Sequence, residues 1–299
     1  GEGHTYLPRE QLFTRCARLL GVDESYMEKH LMDMVIDRKL VLKEKSGETI
    51  VYPAQYYYLE LNTARMLNEL NIVCPEDKEL VRHRIELIEK ETGTVLDEMQ
   101  KKAITEAADH GLFILTGGPG TGKTTTINGM IQYFEHEGLD IRLAAPTGRA
   151  AKKMTEATDK EASTLHRLLG LGKLDDEGIY TRHSDYEGAP IDADVIVVDE
   201  LSMVDMFVMN YLLKCIYQGT KLILVGDVDQ LASVGPGSVL KDLINSEVIN
   251  TVKLDKIFRQ AAKSKIILNA HRVNNGQKFL TKEDEEIEED TKEDFFFIQ

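Results

Sequence analysis

The sequence is short of cysteine: three in 299 residues, Cys16, Cys74 and Cys215, with no CxxC pair among them. That scatter excludes a disulfide framework and a zinc cluster, and it points to a reducing, cytoplasmic setting. No run reaches the roughly 18 uninterrupted apolar residues of a membrane span. The opening GEGHTYLPREQ also lacks the apolar core of a secretory leader, so no membrane partner is expected. Internal repeats are missing too. Positive charge is scarce, with 36 Lys and Arg against 51 Asp and Glu and a net charge of −15. The deficit is uneven. Residues 281–294, TKEDEEIEEDTKED, hold nine acidic and two basic side chains, so −7 of the −15 sits there and −8 is left for the rest. A solvated acidic run of this kind leaves room for a basic groove elsewhere, and composition does not exclude nucleic acid. What is present is 42% apolar residue against 29% charged, enough to bury a core. The length suggests about two domains.

Residues 9–42 carry apolar stripes at helical spacing: Leu12, Phe13, Cys16, Leu19 and Leu20, then Met27, Leu31, Met34 and Val35. LVLKEKSGETIVYPAQYYYLE, residues 40–60, reads as strand, turn at Ser46 and Gly47, strand. Two helices followed by a hairpin is the order of a winged-helix module, expected over residues 1–60. Such a module reads duplex DNA through its second helix. With eight Lys and Arg against ten Asp and Glu, however, the segment lacks the charge of a DNA reader, and a protein-contact or spacer role competes. Residues 61–92 read as a charged helical connector. From about residue 93 apolar strands alternate with helices: LFILTG (112–117), IRLAAP (141–146), DVIVVDE (194–200), KLILVGD (221–227) and a shorter TVKL (251–254). Continuous apolar strands separated by helices predict an α/β domain with a parallel sheet covered on both faces.

The segment from Gly117 to Thr124 satisfies GxxxxGK[ST] directly after one such strand and directly before a helix, the context that a phosphate-binding P-loop needs. Glycines let the backbone wrap closely enough for several N–H groups to face phosphate at the positive end of a helix. The expected cradle is Gly117, Gly118, Pro119, Gly120, Thr121, Gly122, Lys123, Thr124 and Thr125, with Lys123 on the β- and γ-phosphates and the Thr124 hydroxyl on Mg²⁺. Asp199, at the end of VIVVDE, is the expected second magnesium contact, and Glu200 the base that polarises an attacking water. A third strand ends in Asp227, Asp229 and Gln230, where Gln230 can touch both γ-phosphate and water. Arg259 of IFRQ offers an always-charged fork for the γ-phosphate. The nucleotide expected is ATP. Pro146-Thr147-Gly148-Arg149 can donate hydrogen bonds to strand phosphates from Thr, Arg and backbone N–H.

In this order the motifs resemble a superfamily 1 helicase of the RecD type, the alpha-chain family of exodeoxyribonuclease V. The resemblance covers roughly residues 95–275: LDEMQKKAI (96–104), TGGPGTGKTTT, APTGRAAKKM (145–154), STLHRLLG (163–170), VVDELSMVD (197–205), GDVDQLASVGPG (226–237) and IFRQ. It implies a RecA-like motor lobe over residues 93–280 and 5′-to-3′ movement on DNA driven by ATP hydrolysis, in recombination and repair. It implies that Gln100 reads adenine, that Gln230 is the third-motif sensor, and that Arg259 meets the γ-phosphate. It places Thr147, Arg149, Thr164 and His166 on single-stranded DNA, and a pin-like hairpin at about 172–193 against the junction of single and double strand. The sequence leaves open whether such a chain acts alone or is recruited by a RecBC-like complex. Such a motor has two lobes, and DFFFIQ looks like the opening strand of the second, so residues 281–299 read as an acidic linker and the start of that lobe. The isolated chain is then expected to bind Mg-ATP and turn it over slowly. A GTP switch lacks support because no NKxD motif occurs, and a non-enzymatic assembly module sits poorly with intact Lys123, Thr124, Asp199 and Glu200.

Overall fold

The computed structural model describes residues 3–174, 180–182, 190–258, 264–280 and 294–295. A short strand β1 (Leu7–Pro8) leads into α1 (Arg9–Leu20), which stops at Gly21 in the left-handed conformation at φ 68°. After a 3-10 turn come α2 (Met27–Ile36) and the hairpin β2 (Leu40–Lys45) and β3 (Glu48–Pro53), paired antiparallel from Leu40↔Pro53 to Lys45↔Glu48. The turn falls on Ser46 and Gly47, both at positive φ, as a two-residue primed turn requires. β1 joins β3 to complete a three-stranded sheet, so the winged order of helices and hairpin is present.

One segment differs from the sequence reading. Residues 54–60, expected to prolong the strand, open the helix α3 (Ala54–Leu70), so a boundary at residue 60 falls inside it. The aromatic run Tyr56-Tyr57-Tyr58 favours a strand on propensity alone, but tertiary packing overrides that weak preference. Pro53, at φ −57°, stands at the helix start, and Tyr56 meets the Phe207 ring edge-on at 5.9 Å. The same helix is tied to the C-terminal α/β region by a buried polar pair: Asn210, 2% exposed, donates from Nδ2 to Thr63 Oγ1 at 3.0 Å. Thr63→Val would leave that amide unsatisfied, and denaturant unfolding should show a loss of about 1–3 kcal/mol. A loss under a few tenths would mean that the pair holds nothing.

The chain continues through α4 (Lys78–Thr92) and α5 (Glu98–Asp109) and then alternates. The elements are β4 (Leu112–Gly117), α6 (Lys123–His136), β5 (Ile141–Ala145), α7 (Gly148–Thr158), β6 (Ala162–Thr164) and α8 (Leu165–Leu168). The hairpin β7 (Leu171–Leu174) and β8 (Tyr180–Arg182) follows, then β9 (Val195–Val198), α9 (Met206–Lys214), β10 (Lys221–Gly226), α10 (Val239–Asn245), β11 (Thr251–Leu254) and α11 (Lys265–Asn274). β7 and β8 pair antiparallel where an inserted hairpin is expected; residues 175–179 and 183–189 lie outside the described residues. So does the acidic run, apart from Asp294.

Six strands form one parallel sheet in the order β11-β4-β10-β9-β5-β6. Successive side chains of a strand point to opposite faces, and this alternation splits the core in two. Leu112, Ile114, Ile196, Val198, Leu222 and Leu224 pack against α9 and its neighbours. Phe113, Leu115, Val195, Val197, Ile223 and Val225 pack with α4, α5 and α6. Every residue of β4 and β9 is buried, which is why these strands read as unbroken apolar runs. β4, β5, β9 and β10 all end at one edge, where open α/β sheets hold ligands. Among the described residues no helix is long and apolar enough to cross a membrane.

Candidate functional site

β4 delivers the chain into the loop at Gly117, and α6 starts at Lys123. Gly120 and Gly122 sit at φ 77° and 84°, a region that other residues enter only with strain. A Cβ on Gly122 would lie 2.6 Å from Gln100 Nε2 and 2.8 Å from the Phe258 ring; one on Gly117 would lie 2.8 Å from the Leu254 carbonyl oxygen. The loop is therefore glycine-bound by contact as well as by conformation. Thr121 Oγ1 donates to Gly118 O at 2.9 Å, and the Lys123 ammonium donates to Gly117 O and, at 3.0 Å, to Gly118 O. Burial pushes the Lys123 pKa down, against the pull of the carboxylates of Asp227, Asp199 and Glu200.

β9 and β10 supply those carboxylates. Asp199 accepts from the Glu200 N–H at 2.8 Å, and Asp227, 3% exposed, accepts from Asp229 N–H at 3.0 Å. Burial raises the Asp199 pKa, opposed chiefly by that backbone hydrogen bond. Glu200 is held left-handed at φ 54° and ψ 42°, a conformation that costs a non-glycine residue about 1–2 kcal/mol and that the surrounding fold must impose. A buried, raised carboxylate has a definite linkage sign. The native state binds the proton more tightly than the unfolded chain, so stability is lost as pH rises from the ordinary carboxylate range through the raised value. Asp199→Asn should therefore stabilise the nucleotide-free protein at pH 7 by on the order of 1 kcal/mol, with the gain closing by about pH 4. Urea midpoints at the two pH values check this, and a variant less stable at pH 7 would contradict it.

Gln100 is 1% exposed. It caps α5 reciprocally with Asp97, and its Nε2 donates to Gly122 O at 3.3 Å, so it is fastened to the loop. Phe258 N–H donates to Gly120 O at 3.2 Å, and the Lys256 ammonium lies 5.3 Å from the centroid of the Phe258 ring. The cleft enclosed by these residues measures about 770 Å³ and is lined by the loop from Gly118 to Thr125, Gln100, Asp199, Glu200, Gln230 and Phe258. That volume suits a nucleotide-sized ligand. Arg259 lies outside the described residues.

A second cleft of about 760 Å³ lies beside the first, lined by Pro146, Thr147, His166, Asp205 and the loop from Asp229 to Gly235. Gln230 borders both. Thr147 and Thr164 each serve as a helix N-cap, accepting from Ala150 N–H and Arg167 N–H at 3.2 Å. Of the four residues expected at a strand, the structure brings Thr147 and His166 to this cleft; Arg149 and Thr164 do not line it, and Arg149 is exposed on the first turn of α7. Asp205, which caps α9, has its pKa raised by burial.

Three residues near the loop were not singled out from sequence. Phe258 precedes Arg259 in IFRQ and could have been found by its neighbour. Lys153 lines the nucleotide-sized cleft from α7, hidden in a helix whose other lysine is plainly solvated. His271, on α11, meets Pro119 O through Nε2 at 3.0 Å, and no local pattern announces it.

Residues 95–291 match the family described as an AAA domain. The ATP-dependent RecD2 DNA helicase of Deinococcus radiodurans is 42% identical over 232 residues, 78% of this chain and 31% of that protein. The RecBCD enzyme subunit RecD of Mycolicibacterium smegmatis is 42% identical over 170 residues, 49% of this chain and 30% of that subunit. Among solved structures, a Pif1 helicase from Bacteroides in complex with ADP-AlF3 and ssDNA aligns at 22% identity and a TM-score of 0.43, over 63% of this chain and 48% of its own. The chain thus spans 31% and 30% of the two curated relatives it matches.

Proposed function

Because this chain belongs to the AAA-domain family over residues 95–291, as a RecD-like superfamily 1 helicase chain, we propose that it forms the nucleotide-binding lobe of an ATP-driven DNA translocase that moves 5′ to 3′ on a single strand, in recombination and repair. One observation carries the reading. The P-loop, Asp199, Glu200 and Gln230 meet at the carboxyl ends of neighbouring parallel strands around one cleft, and Gln230 also borders the cleft that holds Thr147 and His166.

In this reading Gly117–Thr125 wrap the phosphates with backbone N–H groups, and Lys123 leaves its two loop carbonyls to meet β- and γ-oxygens. Gln100 and Phe258 bound the base end of the cleft. Mg²⁺ fits the residues present. Among the described residues no group of three or more His, Cys, Asp or Glu could hold a metal, while Asp199 and Thr124 line the cleft together. One carboxylate and one hydroxyl, completed by phosphate and water, is the way this ion is commonly held. When bound it would neutralise charge on the phosphate oxygens. Glu200 then accepts a proton from water aimed at the γ-phosphorus, and Gln230 holds that water and passes its position to the strand cleft. Arg259 is assigned to the γ-phosphate, and a further arginine finger from a second lobe would add about 10³–10⁵ in rate, so this chain alone should turn over slowly.

The test is anisotropy of a labelled single-stranded oligonucleotide, titrated with this chain at several salt concentrations, with ATPγS, GTPγS or no nucleotide. The reading expects affinity that depends on ATPγS, prefers it to GTPγS, and falls steeply with salt, by roughly 0.7 in log–log slope per phosphate contact. Binding indifferent to salt and nucleotide would end it, and preference for GTPγS would favour a nucleotide switch.

A further inference from the structure

Helix α7 carries three cations in its first two turns, Arg149, Lys152 and Lys153. Their placement opposes the helix's own electrostatics, since positive charge is unfavourable near the N-terminal end of the macrodipole. Arg149 and Lys153 stand four residues apart, a like-charge spacing that costs isolated helices a few tenths of a kcal/mol. Lys152 has a local remedy in Glu156, one turn on, at 3.7 Å. Lys153 has none. Among the described residues it forms neither an ion pair nor a hydrogen bond, yet it lines the cleft shared by the P-loop, Asp199, Glu200 and Gln230. Its charge acts on both sides of that cleft, favouring the ionised form of Asp199 and disfavouring the charged form of Lys123. Lys123 is already committed to two loop carbonyls. Among the described residues that line the cleft, Lys123 is a tethered cation and Lys153 an untethered one, and they share that lining with the carboxylates of Asp199 and Glu200.

A triphosphate brings more negative charge to this cleft than a diphosphate, and the extra charge is at its γ end. With that end toward Glu200, which follows β9, the γ-phosphate would sit beside the strand that pairs with β5, and β5 leads into α7, whose Lys153 lines the same cleft. We propose that Lys153 is a second phosphate-facing cation, one that meets the terminal phosphate of a bound nucleoside triphosphate and so distinguishes it from the diphosphate. The assignment rests on the nucleotide reading above and adds to it. It gives α7 two faces of one job: its N-cap Thr147 borders the strand cleft, and its second turn touches the phosphate whose loss ends the cycle.

The experiment measures ATPγS and ADP binding to the 299-residue chain by titration calorimetry, with Mg²⁺, for four variants. Lys153 is exposed, and alanine is the strongest helix former, so Lys153→Ala should fold; a melt checks this. The expected result for Lys153→Ala is ATPγS binding weakened about tenfold with ADP within about twofold, the size of one lost charge-assisted hydrogen bond. Lys153→Arg should recover most of the difference, and Lys152→Ala should leave both ligands unchanged. Lys153→Ala weakening both nucleotides alike, or neither, overturns the assignment. Lys123→Ala separates the two layers of the argument: if it binds both nucleotides as the wild type does, the loop is no phosphate site and the underlying reading fails first.

Discussion

Replacing Lys123 with alanine is expected to weaken triphosphate binding by about a hundredfold while leaving the chain folded. Two hydrogen bonds from an ammonium to phosphate oxygens are worth about 1.5–3 kcal/mol each, and about 1.4 kcal/mol is a factor of ten. Part of that is offset, because the ammonium must first leave Gly117 O and Gly118 O. The remainder still exceeds the effect of any other single side chain in the cleft. Stability responds differently. Burial depresses the pKa of Lys123, so charging it in the native protein is unfavourable, and its removal relieves that cost while leaving Asp227, Asp199 and Glu200 less well compensated. These effects oppose each other, and the melting temperature should move by only a few degrees. Calorimetric titration with ATPγS beside a thermal melt checks both halves. Wild-type affinity in a folded variant would refute the phosphate role.

Glu200→Gln separates binding from chemistry. Glutamine has the same shape and can occupy the same left-handed backbone, so the fold and the cradle stay as they are. It cannot take a proton from water. Loss of general-base catalysis typically removes about 10²–10⁴ in rate, and that is the fall expected in single-turnover hydrolysis with protein in excess over ATP. Triphosphate affinity should hold or tighten, since one negative charge facing the γ-phosphate is gone. Weaker binding with unchanged hydrolysis would move Glu200 from the chemistry to the cradle. Glu200→Gly is a useful companion: it should lose hydrolysis as well, yet gain stability by about 1 kcal/mol as the backbone strain is relieved.

The P-loop was legible because its physics is local. A glycine pair at positive φ, a lysine at a helix start and an apolar strand ahead of them are all encoded within a dozen residues. The parallel sheet was legible for a related reason: β4 and β9 are buried on both faces, so their sequences have no polar alternation to obscure them. The short edge strand β6 gave no such signal, since all three of its residues are only partly buried. Tyr56-Tyr57-Tyr58 misled for the opposite reason. Their preference for strands is intrinsic, whereas the helix they occupy is set by Pro53 and by contact with Phe207 on a distant element. Long range also explains the missed neighbours of the loop. Phe258 and His271 reach Gly120 and Pro119 across 138 and 152 positions. Lys153 needed the fold to show that its side of α7 faces the cleft and that its neighbour Lys152 is paired elsewhere. Thr147 reads from the sequence as a hydroxyl donor and Thr164 enters only through the family resemblance, but the acceptor role of both as helix caps depends on where α7 and α8 begin.

The most direct measurement is a crystal structure of this chain soaked with Mg²⁺ and a non-hydrolysable ATP analogue. The account predicts triphosphate in the turn between β4 and α6, Lys123 released from the carbonyls of Gly117 and Gly118 onto phosphate oxygens, and the γ end directed at Glu200. Nucleotide bound elsewhere, with Lys123 still resting on its own loop, would contradict it.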